Sequence, residues 1–88
     1  MSVERYTDWD IEDVEYRTGH KIIAVWAVQS NYSICIIKSE FNFIEVYINK
    51  SADFEDFRDS ILLYMARNEK DAYKFVKDYF NLIGEDYI

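Results

Sequence analysis

The sequence predicts an α+β fold: an antiparallel three- or four-stranded meander followed by two helices packed on one face of the sheet. Three observations predict it. Residues 21–49 hold β-branched, apolar runs whose short connections can join only antiparallel neighbours. Residues 51–84 carry two apolar stripes at helical spacing. A chain of 88 residues has room for one core, which sheet and helices must share. The expected organisation is a single domain over 1–88, with an acidic N-terminal segment 1–19, the sheet in 20–50 and two helices in 51–84.

The first element is ambiguous. Residues 9–16 fit either a short helix capped by Thr7 or a fourth strand entering through a turn at Arg17-Thr18-Gly19-His20. Trp9, Ile11, Val14 and Tyr16 do not share one helical face, which favours a bulged edge strand. Residues 21–29 (KIIAVWAVQ) are apolar on both faces, as a central strand must be. A turn at Ser30-Asn31 leads to a second strand at 32–38, and residues 41–49 alternate as a third. Ser51 then reads as an N-cap with Asp53, Glu55 and Asp56 in the first turns. Phe54, Phe57, Ile61 and Tyr64 make the first stripe. Asn68 with Asp71 opens the second helix, whose stripe is Ala72, Phe75, Val76, Tyr79 and Ile83, with Gly84 as the stop. Trp26, Ile34, Ile36, Phe57, Ile61, Phe75 and Tyr79 are the expected core.

Charge narrows the function. Ten Lys and Arg oppose 17 Asp and Glu, a net −7, which disfavours direct binding to nucleic acid or to an anionic membrane. The longest apolar run, 22–28, is too short to span a bilayer, and the N-terminus has no apolar leader. With a single cysteine, Cys35, no intramolecular disulfide can form, and a reducing cytoplasm is expected (that of a host cell if the protein is viral).

Catalytic and metal motifs fail one by one. A hydrolase pairing Cys35 as nucleophile with His20, the only histidine, is conceivable across the hairpin, but the simpler reading is a buried strand thiol and a turn imidazole. No phosphate loop, nucleophile elbow or His pair is present. Asp8, Asp10 and Glu12 alternate like the start of a calcium loop, yet its sixth and twelfth positions hold Asp13 and Gly19 rather than Gly and Glu. Neither enzyme activity, a metal nor another cofactor is expected. Lys70, Lys74 and Lys77 form a basic strip on the second helix that reads as an ordinary solvated face.

The acids are segregated. Residues 4–15 hold six acids against Arg5, and residues 53–59 hold four against Arg58, so 10 of the 17 fall in two short segments. The plain reading is solvation and solubility. The functional reading is an acidic face that fills a basic groove on a protein partner and steers association. Its candidate residues are Asp8, Asp10, Glu12 and Asp13 in one segment and Glu55, Asp56 and Asp59 in the other, with Tyr6 and Trp9 as anchors. The expected function is therefore that of a small, non-catalytic inhibitor. It would act as a DNA mimic on a nucleic-acid-binding protein or nuclease, in the manner of phage inhibitors of host defence such as anti-CRISPR proteins, or of transcription. An immunity protein or antitoxin against a nuclease toxin is one alternative, and a homodimeric structural or adaptor protein another. In isolation the chain is expected to be a monomer or weak homodimer.

Overall fold

The apolar runs of the middle third form the centre of the sheet, and the flanking segments add a strand at each edge. The computed structural model describes residues 3–28, 31–54 and 57–82. In chain order the elements are β1 (Val3–Arg5), α1 (Asp8–Thr18), β2 (Lys21–Val28), β3 (Tyr32–Lys38), β4 (Ile44–Asn49), β5 (Ser60–Ala66) and α2 (Glu69–Leu82). All five strands are antiparallel, and their spatial order is their sequence order. The class is α+β, as the sequence predicts. Among the described residues, no helix is long and apolar enough to cross a membrane.

Two cores lie on the two sheet faces. On one, Ala24, Trp26 and Val28 of β2, Ile34 and Ile36 of β3, and Ile44 and Val46 of β4 meet Ala72, Val76 and Phe80 of α2. On the other, Ile22, Val25, Cys35 and Ile37 meet Val14 of α1 and Phe54. A bulge between Ile22 and Ala24 re-phases β2, so that Ile22 and Val25 share the α1 face. Each large apolar side chain fully buried in these layers contributes about 1.5–3 kcal/mol.

Three expectations are corrected. The segment 9–16 is helix rather than edge strand, because its ends are capped on both sides. The Thr7 hydroxyl accepts from the Asp10 amide at 3.2 Å, and the Asp10 carboxylate accepts from the Thr7 amide at 3.2 Å, a complete capping box. At the other end Gly19 takes the left-handed conformation at φ 73° and donates its N–H to Glu15 O at 2.9 Å. Only Val14 of α1 is buried and Ile11 half-buried, which is why its apolar residues show no stripe.

The described residues of 51–67 form no helix. Ser51 closes a turn instead of capping one: its amide donates to Asn49 Oδ1 at 2.9 Å and its hydroxyl accepts from the Asp53 amide at 3.1 Å. The chain then returns as β5 against β4, so Ile61 points to solvent and is 59% exposed. Phe54 and Phe57 serve the α1-face core from the loop between β4 and β5, Phe54 buried and Phe57 half-buried. Among the described residues the sheet accordingly has five strands, not three or four.

The helices also do not share a face. α1 precedes the meander and covers one side; α2 follows it and covers the other. The start of α2 matches its sequence signal, since Asn68 Oδ1 accepts from the Asp71 amide at 2.8 Å. Phe75 and Tyr79 are half-buried flanks, with Phe75 stacked on Tyr64 at 4.5 Å, while Phe80 completes the stripe. The expected turn residue Ser30, and Ile83 and Gly84 at the helix end, lie outside the described residues.

Candidate functional site

α1 inverts the usual arrangement of a surface helix, because its largest aromatics face water. Trp9 is 80% exposed and Tyr16 90% exposed. Seven residues apart, they stand two turns apart on one side of the helix. Glu12 and Asp13 lie three and four residues after Trp9, on the same side, and Asp8 adjoins it; all three are exposed. The inward side is the narrow strip of Ile11 and Val14. The outer face of α1 is thus aromatic and acidic together.

Beside it runs a polar cleft of about 630 Å³, lined by Glu4, Arg5, Tyr6, Thr7, Asp10, Asp13, Val14, Arg17, Asp53 and Phe54. Its floor is fixed by two clamps. The Tyr6 hydroxyl donates to Ala52 O at 2.9 Å and accepts from the Phe54 amide at 3.1 Å. Arg17 Nη2 donates to Phe54 O at 3.2 Å and pairs with Asp13 at 3.0 Å. Burial raises the Tyr6 phenol above its ordinary pKa, with Asp53 and Asp10 adding to the effect and the Phe54 amide and Arg17 opposing it.

The structure therefore sorts the sequence candidates. Asp8, Trp9, Glu12 and Asp13 stand on the outer face of α1, and Asp10 and Asp13 line the cleft. Asp10 also caps the helix through Thr7, and Tyr6 is half-buried as the tie between β1 and the loop after β4. Glu55 and Asp56 lie outside the described residues. Asp59 is exposed but belongs to a separate depression of about 290 Å³ at the start of β5, with Asn31, Tyr32, Ile48, Asn49, Lys50 and Ile61. Among the described acids of the second segment, Asp53 rather than Asp59 lines the cleft beside α1. Tyr16 was hidden by the strand reading of 9–16; a helical reading places it seven residues from Trp9.

The chemical alternatives find little here. Cys35 has no exposed surface, and burial drives its thiol far above the ordinary cysteine range, so the nucleophilic thiolate is suppressed. The His20 ring packs edge-on against Phe57 at 4.8 Å. Among the described residues, no three His, Cys, Asp or Glu side chains are grouped to hold a metal ion. Of the basic strip, Lys74 pairs with Asp78 at 3.7 Å, as expected of a solvated helix face.

No protein-family model matches the chain, and neither a curated protein nor a solved structure matches it.

Proposed function

We propose that the chain is a small acidic binding protein that docks the outer face of α1 on a basic surface of another protein. The observation that carries the reading is the pairing of Trp9 and Tyr16, both almost fully exposed, with Asp8, Glu12 and Asp13 on one helix. Large aromatics left in water are anchors for an interface, since they bury much area at low entropic cost. Carboxylates around them steer a cationic partner and disfavour others. A basic groove that binds nucleic acid fits this face best, with the carboxylates taking the place of phosphates.

Photo-crosslinking from position 16 in a host lysate tests the reading. A basic, nucleic-acid-binding protein should be captured, and excess duplex DNA should displace it. The double variant Asp8→Lys, Glu12→Lys should abolish capture while leaving the fold intact, as both side chains are exposed. Capture that withstands both DNA and charge reversal would refute the proposal.

A further inference from the structure

The two edges of the sheet are protected unequally. β1 is three residues long, and two of them, Glu4 and Arg5, are charged and exposed. Short, charged edges of this kind resist pairing with other chains. β5 is seven residues long, from Ser60 to Ala66, with neither a charge nor a proline. Its inner side pairs with β4, and among the described residues no strand pairs with its outer side. Ile61 is 59%, Leu62 43% and Met65 50% exposed. Such an edge is a template for another strand.

What that strand is follows from the register and the end charges. Leu62 lies opposite Tyr47 and Met65 opposite Glu45, and a bulge absorbs the extra residue between them. Tyr47 and Glu45 are two apart on β4, so Leu62 and Met65 share one face. The uncharged run is bounded by Asp59, which is exposed, and by Arg67, whose side chain is 88% exposed beyond a 3.8 Å ion pair with Asp71. An acid before the strand and a base after it are self-complementary under antiparallel pairing. About an axis between Leu63 and Tyr64, Arg67 of one copy lies opposite Ser60 of the other, one position from its Asp59.

We propose that β5 pairs with β5 of a second copy, antiparallel about a two-fold axis between Leu63 and Tyr64, extending the sheet to ten strands. In this register Leu62 lies across from Met65 of the second copy, on the side of the sheet that carries α1. The interface is isologous, so one apolar pair and one charge pair each occur twice.

Sedimentation equilibrium on the full chain tests it, and the average mass should rise from monomer to dimer with concentration. Hydrogen exchange in residues 60–66 should slow over the same range. Asp59→Arg changes the net charge from −7 to −5, which by itself would ease association. It should nonetheless weaken the dimer roughly tenfold, because each end then holds two Arg one position apart. The double variant Asp59→Arg, Arg67→Asp restores the net charge of −7 and should restore the dimer. A chain that remains monomeric at every concentration, its β5 edge left for a strand of another protein, would overturn the proposal. So would a double variant as weak as the single one.

Discussion

Tyr6→Phe isolates the tie that holds the loop after β4 against α1. The Tyr6 backbone is fixed independently, its amide donating to Val25 O at 2.9 Å, so the substitution removes only the hydroxyl. Two hydrogen bonds go with it: the one donated to Ala52 O at 2.9 Å and the one accepted from the Phe54 amide at 3.1 Å. Ala52 O loses a donor that water can replace. The Phe54 amide is worse placed, because Phe54 itself is buried and anchors the loop. An unmade buried hydrogen bond costs about 1–3 kcal/mol. Since Tyr6 is half-buried, solvent offsets part of this, and about 1–2 kcal/mol is the expected loss. For a domain of this size that lowers Tm by about 4–16 °C. Urea unfolding should show the midpoint fall with an unchanged slope, and the Phe54 amide should exchange faster in the variant. A loss below about 0.5 kcal/mol with unaltered Phe54 exchange would refute the clamp.

Two further outcomes follow from the titratable groups. Cys35 should resist iodoacetamide in the folded protein at pH 8 and react fully in urea, because burial holds its thiol protonated; equal rates in both states would show that the strand opens freely. Asp71 accepts from the Arg67 amide at 3.0 Å and from the Tyr64 hydroxyl at 2.9 Å, and these bonds, the Arg67 amide foremost, hold its carboxyl below the usual range. A depressed folded pKa stabilises above the unfolded pKa, and that stability is lost as pH falls through the folded one. Stability should therefore decline below about pH 4, and Asp71→Asn should flatten that decline; an identical acid slope in the variant would exclude this role.

How much was legible depended on whether a segment's local signal agreed with its tertiary use. β2 and β3 are apolar on both faces and β4 alternates at strand period, so each reads as strand, and Asn68 with Asp71 announces α2. Segment 51–67 failed because Phe54, Phe57, Ile61 and Tyr64 fit a helical spacing that nothing uses. Phe54 and Phe57 belong to a loop under the α1-face core, while Tyr64 belongs to β5 and stacks on Phe75 from the other face. The competing signal was the uncharged run Ser60–Ala66, which reads as strand once β4 needs a neighbour. α1 failed for the opposite reason. Thr7 reads as its N-cap, but its aromatics point outward, so a periodicity argument that equates apolar with buried does not find the helix. That same failure marks the candidate site, since the residues that break the rule are the ones left exposed.

The two proposed surfaces are compatible in one assembly. A two-fold axis that pairs β5 with β5 antiparallel is perpendicular to the sheet, so both copies of α1 lie on the same side. α1 packs over β2, three strands in from β5. Counting across the junction, the two β2 strands are seven spacings apart, roughly 34 Å at about 4.8 Å each before sheet twist shortens it. That is also about the length of one turn of B-DNA, the distance over which two-fold DNA-binding proteins set their half-site elements. A dimer would therefore offer two acidic helices at the spacing at which such a partner offers two basic grooves. Both contacts made together would bind more tightly than either alone, with no new residue involved. The charge variants of β5 separate the contributions: Asp59→Arg leaves the α1 face intact, so it should lower affinity for a two-fold partner while sparing a single isolated groove. Equal losses for both would mean that Asp59 contacts the partner directly rather than holding the two copies together.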